Sequence, residues 1–246
     1  MAPGSNCFAA LDFLATTLEC LDNSTLTTSQ VKLLVNYFGA LFDADHKAGV
    51  LPSLKALRRL STMATFAPQQ GDDILRQLCK LGEDFRKQIP ETRLAAFQLI
   101  QDLSSNPDVA SALQHQYGAS CGFVIDLLAL CRNERNPACL IPWFAVLRDF
   151  LTQYSPSPEV TEEIFNVFSA YFPISLNRDA QKASGISADE LKLALRRCFA
   201  SHHRVAKLAI PFLLKKLDQG DGVTVNVKVC GPERGPRAKM VFGFRG

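Results

Sequence analysis

Leu51-Pro52-Ser53-Leu54-Lys55-Ala56-Leu57 sets an apolar residue before a proline and further apolar residues at three-residue steps. The pattern returns as Ile141-Pro142-Trp143-Phe144-Ala145-Val146-Leu147 and as Ile210-Pro211-Phe212-Leu213-Leu214-Lys215-Lys216-Leu217. Such spacing puts the apolar side chains on one face of a helix. Gaps of 90 and 69 residues between the prolines each leave room for two helical pairs of roughly 35 to 45 residues. Each proline is expected one turn into its helix, where it would bend the axis.

The same three- and four-residue steps run through nearly the whole chain, as in Val31, Leu34, Val35, Phe38, Leu41 and Phe42. Strand-like alternation is nearly absent, save Val223 to Val229. Turn-forming clusters at Asp22 to Ser24, Asp43 to Gly49, Pro68 to Gly71, Asn106-Pro107, Asn133 to Pro137, Ser155 to Pro158, Asn177 to Ser187 and Gln219 to Gly222 divide the chain. They predict eleven antiparallel helices, over 8–21, 28–42, 50–65, 72–84, 90–104, 107–115, 119–132, 138–154, 159–171, 187–201 and 204–218. Ser157 and Ser187 are placed to cap two of these, with Glu190 completing a capping box, and Pro90 suits a first helical position. Arg93 to Leu103 is expected to be the second helix of a pair. The fold class is therefore all-α, a HEAT-like helical-repeat solenoid over 8–218, preceded by a disordered N-terminus (1–7) and followed by a disordered Gly/Arg-rich tail (219–246).

Hydrophobic residues make up 47% and charged residues 21%, enough to bury a core. No apolar run is long enough to span a membrane, and no secretory signal opens the chain, so a soluble intracellular protein without membrane partners is expected. The net charge of +3 resides in the tail, where five Lys/Arg face two Asp/Glu; the first 218 residues balance to zero. A neutral body lacks the basic excess that phosphate binding needs, so no direct nucleic-acid partner is expected.

Catalytic and metal sites fare no better. The eight cysteines (Cys7, Cys20, Cys79, Cys121, Cys131, Cys139, Cys198, Cys230) contain no close pair, and even Cys121, Cys131 and Cys139 lie ten and eight apart. They read as small buried hydrophobes, not as zinc or iron–sulfur ligands. Cys198 and His202 stand four apart near a helix end, but neither an oxyanion donor nor an orienting group accompanies them. His202 and His203 are expected to satisfy the carbonyls closing the preceding helix. Phosphate-binding glycine loops are missing. Catalytic, cofactor-binding and metal residues are therefore each expected to be none, with no cofactor. Binding is expected on a helix face carrying charges such as Lys55, Arg58 and Arg59, or Lys215 and Lys216.

Several stretches together resemble one family. Val50 to Leu57, Tyr171-Phe172-Pro173-Ile174, Gly185-Ile186 with Asp189-Glu190-Leu191 and Leu195-Arg196, and Phe199-Ala200-Ser201 followed by Ile210 to Asp218 are similar, in order and spacing, to the N-terminal region of the Mms-nineteen DNA repair and transcription family. The resemblance spans roughly residues 10 to 229. It implies a HEAT-repeat adaptor of the cytosolic iron–sulfur assembly targeting complex, acting in cytoplasm and nucleus. Its partners would be that complex's subunits and the apo-proteins of DNA repair, replication and transcription that receive clusters. The family's members are not enzymes. They are much longer, so the chain is expected to be a truncated N-terminal portion whose bare repeat end, around Ile210, Phe212, Leu213 and Leu217, self-associates. The readings left beside this one are a transport-receptor or phosphatase scaffold of the same fold, and a repair factor that binds DNA directly.

Overall fold

A computed structural model describes residues 3–43 and 49–218, and among these described residues apolar side chains at helical spacing build thirteen α-helices. The helices are α1 (Pro3–Glu19), α2 (Thr28–Ala40), α3 (Val50–Ser61), α4 (Gln70–Cys79), α5 (Asp84–Lys87), α6 (Pro90–Ser105), α7 (Pro107–Tyr117), α8 (Gly122–Leu130), α9 (Pro137–Thr152), α10 (Pro158–Ser169), α11 (Arg178–Ser184), α12 (Ala188–Phe199) and α13 (His203–Asp218). Among the described residues no strand forms. The strand-like Val223 to Val229 and the tail 219–246 lie outside the described residues.

The helices sort into two layers. In the first, α1 packs on α3, α3 on α6, α6 on α9 and α9 on α12. In the second, α2 packs on α4, α4 on α7 and α8, α8 on α10 and α10 on α13. Contacts of α2 with α3, α6 with α7, α9 with α10 and α12 with α13 join the layers. This succession of stacked pairs is an all-α helical-repeat solenoid. First-layer helices begin at Pro3, Val50, Pro90, Pro137 and Ala188, so the repeats run from 40 to 51 residues, one within the expected 35 to 45 and three longer.

Local chemistry sets the helix ends. Ser187 and Glu190 form the expected capping box, and Ser157 caps α10 through the Val160 N–H. Pro90 takes the first position of α6, where its missing N–H would have had no partner. Asn106, Asn136 and Asn177 cap α7, α9 and α11 with side-chain oxygens.

Several expectations need correction. The first helix begins at Pro3, ahead of the expected disordered segment's end at residue 7. The helix expected over 50–65 stops at Ser61, where the Ser61 and Thr62 hydroxyls bond the Arg58 and Arg59 carbonyls. The one expected over 72–84 is split by Gly82, at φ +46°, into α4 and the single turn α5. A 3-10 turn, Gly118–Ser120, and Cys121 at φ 42° replace the first turns expected for α8.

The repeat register changes too. Pro52 and Pro142 occupy first-layer helices with α6 between them, so their spacing holds two repeats as expected. Pro211, however, lies in second-layer α13, out of register with the other two. Pro52 is the third residue of α3, where no intrahelical bond is lost and no bend is called for, whereas Pro142 and Pro211 are interior. Arg93 to Leu103 forms α6 in the same layer as α3, so it is not the second helix opposite a Pro52-type first helix.

Aromatic rings join the repeats. Phe97 bridges Phe85 (5.8 Å) and Trp143 (5.5 Å), tying α5, α6 and α9. Phe165, Phe168, Phe199 and Phe212 form a second cluster that fastens α12 and α13 to α10. Aromatic pairs of this kind add about 0.5–1.5 kcal/mol each beyond burial.

Candidate partner-binding groove

The charged stretch Lys55, Arg58 and Arg59 lies on one side of an open groove of about 420 Å³ between α3 and α6. Leu51, Leu54, Leu94 and Ala95 supply its apolar lining, and Glu19 and Glu91 add negative charge. The three cations have different jobs. Arg59 Nε donates to the Leu18 carbonyl (3.2 Å) and Nη1 to Asn23 Oδ1 (2.6 Å), while Nη2 donates to the Leu21 carbonyl. It therefore closes the C-terminal end of α1, which has no basic residue of its own in its last turn. Arg58 Nε pairs with Asp102 Oδ2 at 2.5 Å and Nη1 donates to Gln98 Oε1 at 2.8 Å, clamping α3 to α6. Lys55 is exposed and has no ion pair or hydrogen bond among the described residues. Of the three, it alone is left unpaired among the described residues.

Lys215 and Lys216, the other pair singled out in the sequence, stand on α13 at the far end of the stack, away from this groove.

Cys198 and His202 do not form a reactive couple. The Cys198 thiol is fully buried and donates to the Phe144 carbonyl (3.2 Å), and burial pushes its pKa up to about 12. His202 begins α13: its Nδ1 accepts the Arg204 N–H (3.3 Å), and its ring lies over His203 with centroids 4.1 Å apart. Burial, then the His203 and Arg204 charges, lower its pKa. It serves the start of α13, not the carbonyls ending α12 as expected.

Burial also raises the thiols of Cys79 and Cys139 to about 12 and lifts Cys121 and Cys131. A thiol held protonated is a poor nucleophile at neutral pH. Among the described residues, no three His, Cys, Asp or Glu side chains are placed to hold a metal ion, and no helix is long and apolar enough to cross a membrane.

A buried ion pair went unnoticed in the sequence. Arg93, in the first turn of α6, meets Glu134, in the loop before α9, by two bonds. Its only signal was an acidic residue in an otherwise turn-like Asn133 to Pro137, and a turn does not reveal a partner 41 residues away.

Stacked helical pairs, with a groove of mixed apolar and charged lining between them, define a helical-repeat protein. A family model described as the Dos2-interacting transcription regulator of RNA-Pol-II matches residues 7–228. The chain belongs to this MMS19 family, through its N-terminal region. It is 28% identical over 204 residues to the MMS19 nucleotide excision repair protein homolog of Bos taurus, covering 82% of the chain and 19% of that relative. It is 26% identical over 212 residues to the MMS19 nucleotide excision repair protein of Drosophila melanogaster, covering 85% and 21%. To the Homo sapiens homolog it is 25% identical over 211 residues, covering 85% and 20%. The chain thus spans about a fifth of the length of the curated relatives it matches.

Proposed function

We propose that this chain is a non-catalytic protein-binding scaffold, the N-terminal part of an adaptor that helps deliver iron–sulfur clusters from the cytosolic assembly machinery to apo-proteins of DNA repair, replication and transcription. The observation that carries the reading is the family match across residues 7–228, joined to a groove whose free cation and apolar lining suit a protein segment. The neutral charge balance of residues 1–218 supports an indirect effect on repair, since direct DNA binding calls for several phosphate contacts. The adaptor acts in cytoplasm and nucleus, where such clients are made and used. Its partners are cluster-accepting apo-proteins and subunits of the assembly complex.

Titration calorimetry with a purified apo iron–sulfur helicase, and with the same helicase carrying its cluster, tests this. The reading expects measurable binding to the apo form and no steep loss of affinity with salt. Tight binding to duplex DNA with a steep salt slope, and none to the helicase, would overturn it.

A further inference from the structure

The loop Gln153-Tyr154-Ser155-Pro156-Ser157 joins α9 to α10, and with Pro158 it twice sets a serine before a proline, the pattern that proline-directed kinases take. The two serines differ. Ser157 is committed to the fold: its Oγ accepts the Val160 N–H (3.4 Å), its hydroxyl bonds the Glu159 carboxylate, and its own N–H donates to the Ala119 carbonyl (2.8 Å). Ser155 is exposed, and its hydroxyl has no hydrogen-bond partner among the described residues.

Ser155 opens onto a hollow of about 40 Å³, whose lining it shares with Thr161, His202 and Arg204. No carboxylate lines this hollow. From the start of α13, Arg204 Nη1 reaches across to the Pro156 carbonyl (2.8 Å), and its guanidinium makes no ion pair among the described residues. A guanidinium carries several N–H donors in a fixed fork, so most of them remain for an anion beside that carbonyl.

We propose that Ser155 is a phosphorylation site for a proline-directed serine kinase, and that the hollow beside it receives the phosphoryl group. The Ser155 oxygen attacks the γ-phosphorus of ATP, and the new O–P bond forms as the bond to the ADP oxygen breaks. ADP leaves with that electron pair, and the hydroxyl proton passes to the kinase's base. The phosphoserine then carries about −1.5 to −2 of charge and three acceptor oxygens. Arg204 meets it with charge-assisted hydrogen bonds, and the N-terminus of α13 favours the negative charge. A phosphate on Ser157 would meet the like charge of Glu159 instead. Pro156 is packed away, so the kinase takes the loop as it opens locally, and the phosphate afterwards favours the closed form. The modification thereby fastens the start of α13 to the turn between α9 and α10. It does not depend on the iron–sulfur reading.

The test incubates the full chain with ATP and a purified proline-directed serine kinase, and locates the modified serine from peptide fragment masses. One phosphate is expected on Ser155, and none on that peptide in Ser155→Ala. Amide exchange at Val205 and Ala206, whose N–H groups close the first turn of α13, is expected to slow by about tenfold or more on phosphorylation, the effect of one charge-assisted hydrogen bond. Arg204→Gln, which keeps a donor for the Pro156 carbonyl without the charge, is expected to take the phosphate and show no slowing. A folded chain that takes no phosphate on Ser155, or takes it on Ser157 instead, overturns the proposal. So does exchange in α13 that is unchanged or faster after phosphorylation, and so does slowing that survives in Arg204→Gln.

Discussion

Arg93 and Glu134 meet across two repeats in a two-bonded ion pair, Nε to Oε2 at 2.7 Å and Nη2 to Oε1 at 3.1 Å, with the carboxylate side chain only 4% exposed. Glu134 Oε1 also accepts the N–H groups of Arg135 and Asn136, and its main-chain carbonyl accepts the Tyr171 hydroxyl (3.0 Å). One short loop is thereby tied to α6 and to the end of α10. Removing either partner leaves the other charge poorly solvated, so Glu134→Ala or Arg93→Met is expected to destabilise by about 3–5 kcal/mol. Urea unfolding checks this, and the double variant should cost less than the sum of the singles.

Gly71 sits where α4 meets α7, and a Cβ there would lie 2.5 Å from Val109 Cγ1. Helix propensity alone would favour Gly71→Ala by up to about 1 kcal/mol. Overpacking of this severity costs about 1–3 kcal/mol, so the clash wins and the variant is expected to melt lower. Gly71→Ala combined with Val109→Ala should recover part of the loss.

The thiols should divide by burial. Cys20 is exposed, whereas Cys121, Cys131, Cys139 and Cys198 are buried. Alkylation of the native chain near pH 8, read by peptide mass, is expected to label Cys20 promptly and to spare Cys139 and Cys198, whose burial holds them at about 12. Labelling of Cys198 at the Cys20 rate would contradict the packing of α12 on α9.

His202 links stability to acid. Its folded pKa lies below the ordinary 6.5, because burial, and then the charges of His203 and Arg204, disfavour the protonated ring. A group depressed on folding contributes stability above its unfolded pKa and loses it as pH falls through the folded value. The start of α13 should therefore weaken as pH drops below about 6.5, seen as faster amide exchange near Val205. His202→Asn, which keeps a capping oxygen without a titrating ring, should remove this dependence.

How much was legible in the sequence depended on whether a feature is local. All eleven expected helices form, because each buries a periodic apolar face. The two that went unread, α5 and α11, lack that signal: Asp84–Lys87 is one turn, and Arg178–Ser184 buries none of its residues. Three proline blocks suggested three equivalent positions, yet Pro211 serves the opposite layer, since seven residues cannot show which layer their helix joins. Lys55, Arg58 and Arg59 were correctly grouped, but their separate tasks depend on Asn23 and Asp102, which only folding brings near. The resemblance in scattered blocks identified the family because spacing along a chain survives where single motifs are weak.

The central claim is that the groove between α3 and α6 receives a protein partner. Ala95→Arg, which fills the apolar lining, and Lys55→Glu, which reverses the free cation, both alter the groove at positions outside the buried core. Calorimetric titration of each variant with a purified apo iron–sulfur protein is the direct measurement, with circular dichroism confirming the helical fold. The account predicts at least about a tenfold loss of affinity in both. Unchanged affinity in folded variants would contradict it.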